Sequence, residues 1–210
     1  LEFEGWRLLT DPTFDPAGGS YRFGWGTGSE KLAGPAIPPG DVGTVDAVLL
    51  SHDQHEDNLD ATGREVMGKA RSVITTASGA GRLGLGAVGL KPYASTTLEE
   101  PGRPAITVTA TPCRHGPPLS RPIVGEVIGF ALEWEGQRNG QLWFSGDTVL
   151  YEGVKGVAQR IDVGTAVMHL GGVRFPVSGP LRYTMTAADA VELCELVKPT
   201  LAVPVHYEGW

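Results

Sequence analysis

Hydrophobic residues in this chain fall into short runs punctuated by glycine and proline, and four of those runs end at or just before a histidine. The run "VDAVLLS" (45–51) is continuously apolar over the length of a strand, as expected where both faces are buried. "ITVTATP" (106–112) alternates and stops at Pro112, while "EVIGFALEWEGQRNGQLWFSGD" predicts a hairpin with strands at 127–134 and 141–145. "LEFEGWRLLTDP" predicts two short strands about Glu4-Gly5, ended by Asp11-Pro12. "SVITT", "TAVMHL" and "LAVPV" complete the strand set. A helix is expected in "LDATGREVMGKA" and a short one in "YEGVKGVAQ". The clearest helix is "TMTAADAVELCELVKPT": Thr186 and Asp189 make a capping-box start, Ala190, Leu193, Cys194 and Val197 share a face, and Pro199 ends it. The stretch up to Gly43, with "YRFGWGTG" and "GPAIPPG", predicts a long ordered loop in which Phe23 and Trp25 pack as cover.

Composition narrows the class. At 210 residues the chain suits a single domain, 1–210, with a two-layer core, and the opening without Met and the abrupt "HYEGW" end suggest truncation at both termini. Thirty glycines and 16 prolines imply many tight connections. The net charge of −7, with no block of Lys or Arg, disfavours a nucleic-acid partner. No apolar run approaches ~20 residues, so no membrane partner is expected. Cys113 and Cys194 read as reduced thiols, which places the protein in the cytoplasm. The expected partner is a small-molecule substrate, with self-association left open.

The histidines carry the chemistry. There are five, and His52, His115, His169 and His206 each follow or end a predicted strand, with His55 close behind His52. Asp57 and Asp147 lie in the same kind of position. Imidazole and carboxylate groups gathered at strand ends suit one or two divalent ions, zinc foremost, with manganese or iron as alternatives. A carboxylate bridging two ions lets them share a hydroxide that is nucleophilic at neutral pH.

The order of motifs resembles the metallo-β-lactamase superfamily, and within it the branch of ascorbate-phosphate-lactonase-like and N-acyl-phosphatidylethanolamine phospholipase D-like hydrolases. "SHDQHEDN" is the counterpart of the family loop T/S-H-x-H-x-D-H; "TPCRHG", "SGDT" and "VPVHYEGW" follow in the family's order, and "LLTDPTF" resembles its early segment. The resemblance implies an α+β fold, a four-layer αββα sandwich of two mixed sheets flanked by helices. It implies a first metal site of His52, His55, His115 and Asp147, and a second of Asp57, Asn58, Asp147 and His206. Against the family pattern, one residue is inserted between His52 and His55, and Asn58 stands where the family has His. In an extended segment residues three apart point to different faces, so either the loop bulges and His55 joins His52, or Gln54 does. Asn58, and less so Asp57, is instead a candidate cap for the following helix.

The resemblance implies a metal-dependent hydrolase using a metal-bound hydroxide on a small lactone, amide or phosphoester, with Asp57 orienting the nucleophile and His169 touching substrate or packing nearby. The alternatives are a degenerate ligand-binding member with a weakened metal site, or a mononuclear iron oxygenase on the same fold. Asp11 is a candidate support residue or a turn former, Cys113 a small buried residue, Gly171-Gly172 a turn or close approach, and Arg174 and Arg182 anion-binding or solvated.

Overall fold

The computed structural model describes residues 1–210 other than Trp25 and Leu85, and the backbone only of Ile123. The packing expected of Trp25 therefore lies outside the described residues. Two compact units are present, residues 1–89 with 209–210, and residues 90–208.

In the first unit, β1 (Glu2–Phe3) and β2 (Trp6–Thr10) form the expected hairpin, with Glu4 and Gly5 both in the left-handed region at φ 45° and 80°. Two consecutive positive φ values match the right-handed twist of the flanking strands. The stretch expected to be loop contains a second hairpin, β3 (Ser20–Gly24) with β4 (Thr27–Glu30), and a 3-10 turn at Pro39–Asp41. Glycines at both 24 and 26, with φ of 88° and 77°, permit that reversal. Next come β5 (Ala47–Leu49), α1 (Ala61–Met67), β6 (Ser72–Thr76), α2 (Ala77–Leu83) and β7 (Val88–Leu90). The mixed sheet runs β1-β2-β5-β6-β7. β5 is central and parallel to β2 and β6, which is why its sequence is apolar on both faces. Val45, Val48, Leu50, Leu59, Met67 and Val73 form the core beneath it.

Asp60 anchors this unit. Its buried carboxylate caps α1 through Gly63 N, accepts from Phe14 N and Asp15 N, and pairs with the equally buried Lys31 at 2.8 Å. Lys31 also lies 5.1 Å from the ring of Trp210. One carboxylate thus ties the helix, the 12–31 excursion and the final residues together.

The second unit contains β8 (Ser95–Leu98), β9 (Ile106–Pro112), α3 (Arg121–Val124), β10 (Ile128–Trp134), β11 (Gln141–Phe144), α4 (Glu152–Lys155), β12 (Val163–His169), α5 (Ala187–Val197) and β13 (Leu201–Val205). Its mixed sheet runs β13-β12-β11-β10-β9-β8, antiparallel from β8 to β11 and parallel from β11 to β13. Pro204 is accommodated because β13 is an edge strand. α5 has the predicted capping box between Thr186 and Asp189 and ends at Lys198, whose φ is 50°. Ala190 and Leu193 reach the core with Trp143, Met168 and Met185, while Cys194 is only half-buried.

Two mixed sheets with helices place the chain in the α+β class. Among the described residues no helix is long and apolar enough to cross a membrane. In the second sheet, β9, β11, β12 and β13 all run in one direction. Their C-terminal ends therefore share a rim, where His115, Asp147, His169 and His206 emerge.

Candidate metal centre

In the first unit the donors stand just beyond β5. Asp11, at φ 38°, accepts a hydrogen bond from Ser51 N at 2.7 Å and so fixes the strand end. His52 is fully buried, with Nδ1 3.0 Å from Ser51 Oγ and Nε2 3.1 Å from His55 Nδ1. The loop absorbs the inserted residue by bending at Asp53 and Gln54, and so permits this meeting. Arg82 of α2 grips the Asp53 carboxylate through Nε at 2.8 Å and through Nη2, and Arg64 of α1 donates to the Asp53 carbonyl at 2.9 Å. The loop bulges at Asp53, and His55 comes round to His52, leaving Gln54 half-buried. The Phe23 ring lies 5.0 Å from that of His55, so the early hairpin walls the pair.

The residues expected to compete for the helix start do not cap it. Asp60 caps α1, two residues past Asn58. Asn58 is buried instead, and its Nδ2 points to Ser51 Oγ at 3.4 Å. Asp57 is half-buried in the same loop.

In the second unit Asp147 is fully buried one residue past Gly146, whose φ of 63° and position 2.7 Å from the Ile128 carbonyl, measured from a would-be Cβ, admit only glycine. The neighbouring Thr148 Oγ1 accepts from Arg114 N at 3.0 Å, and Val149 N donates to the Arg114 carbonyl at 2.9 Å. The "SGDT" and "CRH" segments are thereby sewn together. His115 Nδ1 lies 2.8 Å from the Tyr183 carbonyl. A carbonyl only accepts, so Nδ1 carries the hydrogen and Nε2 of a neutral ring offers its lone pair. His206 breaks from β13 at φ 60°, with Nδ1 3.7 Å from Asp147 Oδ1.

His169 ends β12 with its ring 5.9 Å from that of His206. Its backbone N donates to Ser145 Oγ at 2.9 Å, and its Nδ1 is 3.4 Å from the same oxygen. Burial pushes its pKa down to about 4, against the opposing pull of Asp147. Its ring is therefore neutral near pH 7. Cys113 Sγ donates to the Ser145 carbonyl at 2.9 Å, a structural contact. Gly171 and Gly172, at φ 116° and 55°, lie in irregular backbone, and the Gly172 carbonyl accepts from Arg182. Arg174 and Arg182 are exposed.

Each unit, taken by itself, carries donors that suit a divalent ion. Two nitrogens bound to one tetrahedral zinc at ~2.0–2.1 Å would be separated by roughly 3.3 Å, close to the 3.1 Å between His52 Nε2 and His55 Nδ1. His115 has the tautomer a metal ligand needs, held by a carbonyl as outer-shell partners commonly do. Within the second unit, Asp147 and His206 bring one carboxylate and one imidazole near each other. Sequence reasoning missed Arg82, Arg64 and Ser145, because single polar residues on distant elements carry no motif, whereas Phe23, expected as cover, packs against His55.

The family model for the beta-lactamase superfamily domain matches residues 6–207. A UPF0173 metal-dependent hydrolase of Carboxydothermus hydrogenoformans is 30% identical over all of this chain and 80% of its own length. Among solved structures, an isothiocyanate hydrolase from Delia radicum gut bacteria superposes with a TM-score of 0.78 at 19% identity, covering 98% of this chain and 80% of that one. A protein of Veillonella parvula described as "a possible metal-dependent hydrolase" gives 0.79 at 20% identity, with the same coverage of 98% and 80%. At those identities the structural likeness speaks for the fold.

Proposed function

Because the chain belongs to the metallo-β-lactamase superfamily, among metal-dependent hydrolases, we propose that it hydrolyses a small lactone, amide or phosphoester with one or two divalent ions, zinc foremost and manganese or iron as alternatives. His52, His55, His115, Asp147 and His206 are the proposed principal ligands, with Asp57 and Asn58 adding oxygen donors. Residues 1–210 are taken as one functional domain, in keeping with a family match that runs from 6 to 207. Cys113 and Cys194, which form no disulfide among the described residues, suit a reducing, cytoplasmic setting.

The observation that carries this reading is the facing pair of buried imidazoles, His52 and His55, held by a loop that the Asp53 clamp bends toward that arrangement. When bound, the metal supplies Lewis acidity, which ionises water near neutral pH and offsets negative charge developing on the substrate. The chain's own residues do the rest. Asp57 orients the attacking water by accepting its hydrogen. Ser145 Oγ donates to the Gly146 carbonyl and so accepts from His169 Nδ1, which leaves His169 Nε2 as an acceptor. With its pKa pushed down to about 4, His169 orients a proton rather than removing it. Buried Asn58 and Thr148 keep the surrounding loops in place.

The test is a panel of lactones, amides and phosphodiesters offered to chelator-stripped protein reloaded with zinc or manganese. Hydrolysis that appears with metal and vanishes in His52→Ala supports the reading. Protein that holds metal and leaves the whole panel untouched overturns it.

A further inference from the structure

Beside His115 the second unit contains a cavity of about 320 Å³, at the small end of the range of roughly 300–1,000 Å³ that ligand pockets occupy. Its walls are largely apolar, with Pro92, Pro117, Val124 and Val127 among them, and Leu119 stands 93% exposed at its mouth. Most of its polar groups are engaged within the protein. Ser120 Oγ donates to the His115 carbonyl, Cys113 Sγ to the Ser145 carbonyl, and Arg121 pairs with Glu126 at 2.7 Å.

Arg114 is the exception. Its backbone is fixed on both sides by Thr148 and Val149, and its guanidinium lies over the Tyr151 ring, 4.6 Å from the centroid. Among the described residues no carboxylate or carbonyl is bonded to that guanidinium, and its Nε is buried without a hydrogen-bond partner. A planar cation over an aromatic ring, lining a cavity and bonded to no protein acceptor among the described residues, is prepared for an anionic ligand. A bound carboxylate or phosphate would give the guanidinium the acceptor that the protein does not.

We propose that this cavity is a substrate subsite that takes a small amphiphilic anion, its carboxylate or phosphate on Arg114 and its apolar body against Pro117, Val124 and Leu119. On the hydrolase reading above, which this inference extends, the substrate carries a negative charge remote from the bond that breaks. The neighbouring His115 sets where that bond lies relative to the anchor.

Binding by metal-free protein tests the subsite independently of turnover. The probes are benzoate and phenylphosphonate, with benzamide as the uncharged control, measured by calorimetry. The anions are expected to bind at least about tenfold tighter than benzamide, the size of one charge-assisted contact. Arg114→Gln removes that preference and leaves zinc content unchanged, and Arg114→Lys, which keeps the charge and loses the planar fork, restores part of it. Equal binding of benzoate and benzamide, or an anion preference that survives in folded Arg114→Gln, overturns the subsite. Zinc-dependent turnover without Arg114-dependent binding refutes only the subsite, and Arg114-dependent binding without any turnover refutes only the hydrolase reading.

Discussion

Arg82 holds Asp53 through two nitrogens of its guanidinium, and Asp53 is the residue around which the chain bends to bring His55 to His52. The ion pair is half exposed on the arginine side, so its direct contribution to stability is small. Its effect falls on the histidine pair. Arg82→Ala is expected to weaken zinc binding on the order of tenfold, as loss of an outer-shell partner commonly does, with little change in melting temperature. Competition with a chromophoric chelator measures the first and a thermal scan the second.

Lys31 and Asp60 are buried together, and the consequence there is the reverse. Lys31→Met leaves the Asp60 carboxylate with its three backbone N–H donors and no countercharge. A loss of about 3 kcal/mol is expected, at the lower end for breaking a buried pair because those donors remain. Urea denaturation of the two proteins reads it.

His169 supplies a pH dependence. Its folded pKa of about 4 lies below the ordinary histidine value, so the unfolded chain binds the extra proton first. Stability from the neutral ring is complete above about pH 6.5 and drains as pH falls toward 4, by on the order of 3 kcal/mol in all. Denaturation of metal-free protein at pH 7 and pH 4.5 should show the fall, and His169→Gln should flatten it.

Asn58 is buried beside Ser51 and is not a helix cap. If it weakens a second zinc site by offering an amide oxygen in place of imidazole, Asn58→His should raise zinc occupancy at saturating metal. Elemental analysis after gel filtration gives the ratio for both proteins.

Much of this was legible because the sequence repeats one arrangement, an apolar run ending at a donor. β5, β9, β12 and β13 were readable with their histidines, and the Thr186–Asp189 cap was readable by its spacing. The β3–β4 hairpin was not, since only Tyr21 and Phe23 alternate in Ser20–Gly24, Thr27–Glu30 has no apolar residue, and both strands are half exposed. The choice between His55 and Gln54 also lay beyond the sequence. It depends on Arg82, nearly thirty positions away, whose partner only the fold reveals. The cap of α1 was not legible because Asp57, Asn58 and Asp60 are all good caps, and tertiary contacts from Phe14, Asp15 and Lys31 favour Asp60.

The most direct measurement is X-ray absorption at the zinc edge on protein reloaded with one equivalent of zinc. A shell of nitrogen and oxygen near 2.0–2.1 Å with imidazole scattering, diminished in both His52→Ala and His55→Ala, is the predicted result. A sulfur shell, or a zinc environment unchanged by either substitution, would contradict a centre built on these two histidines.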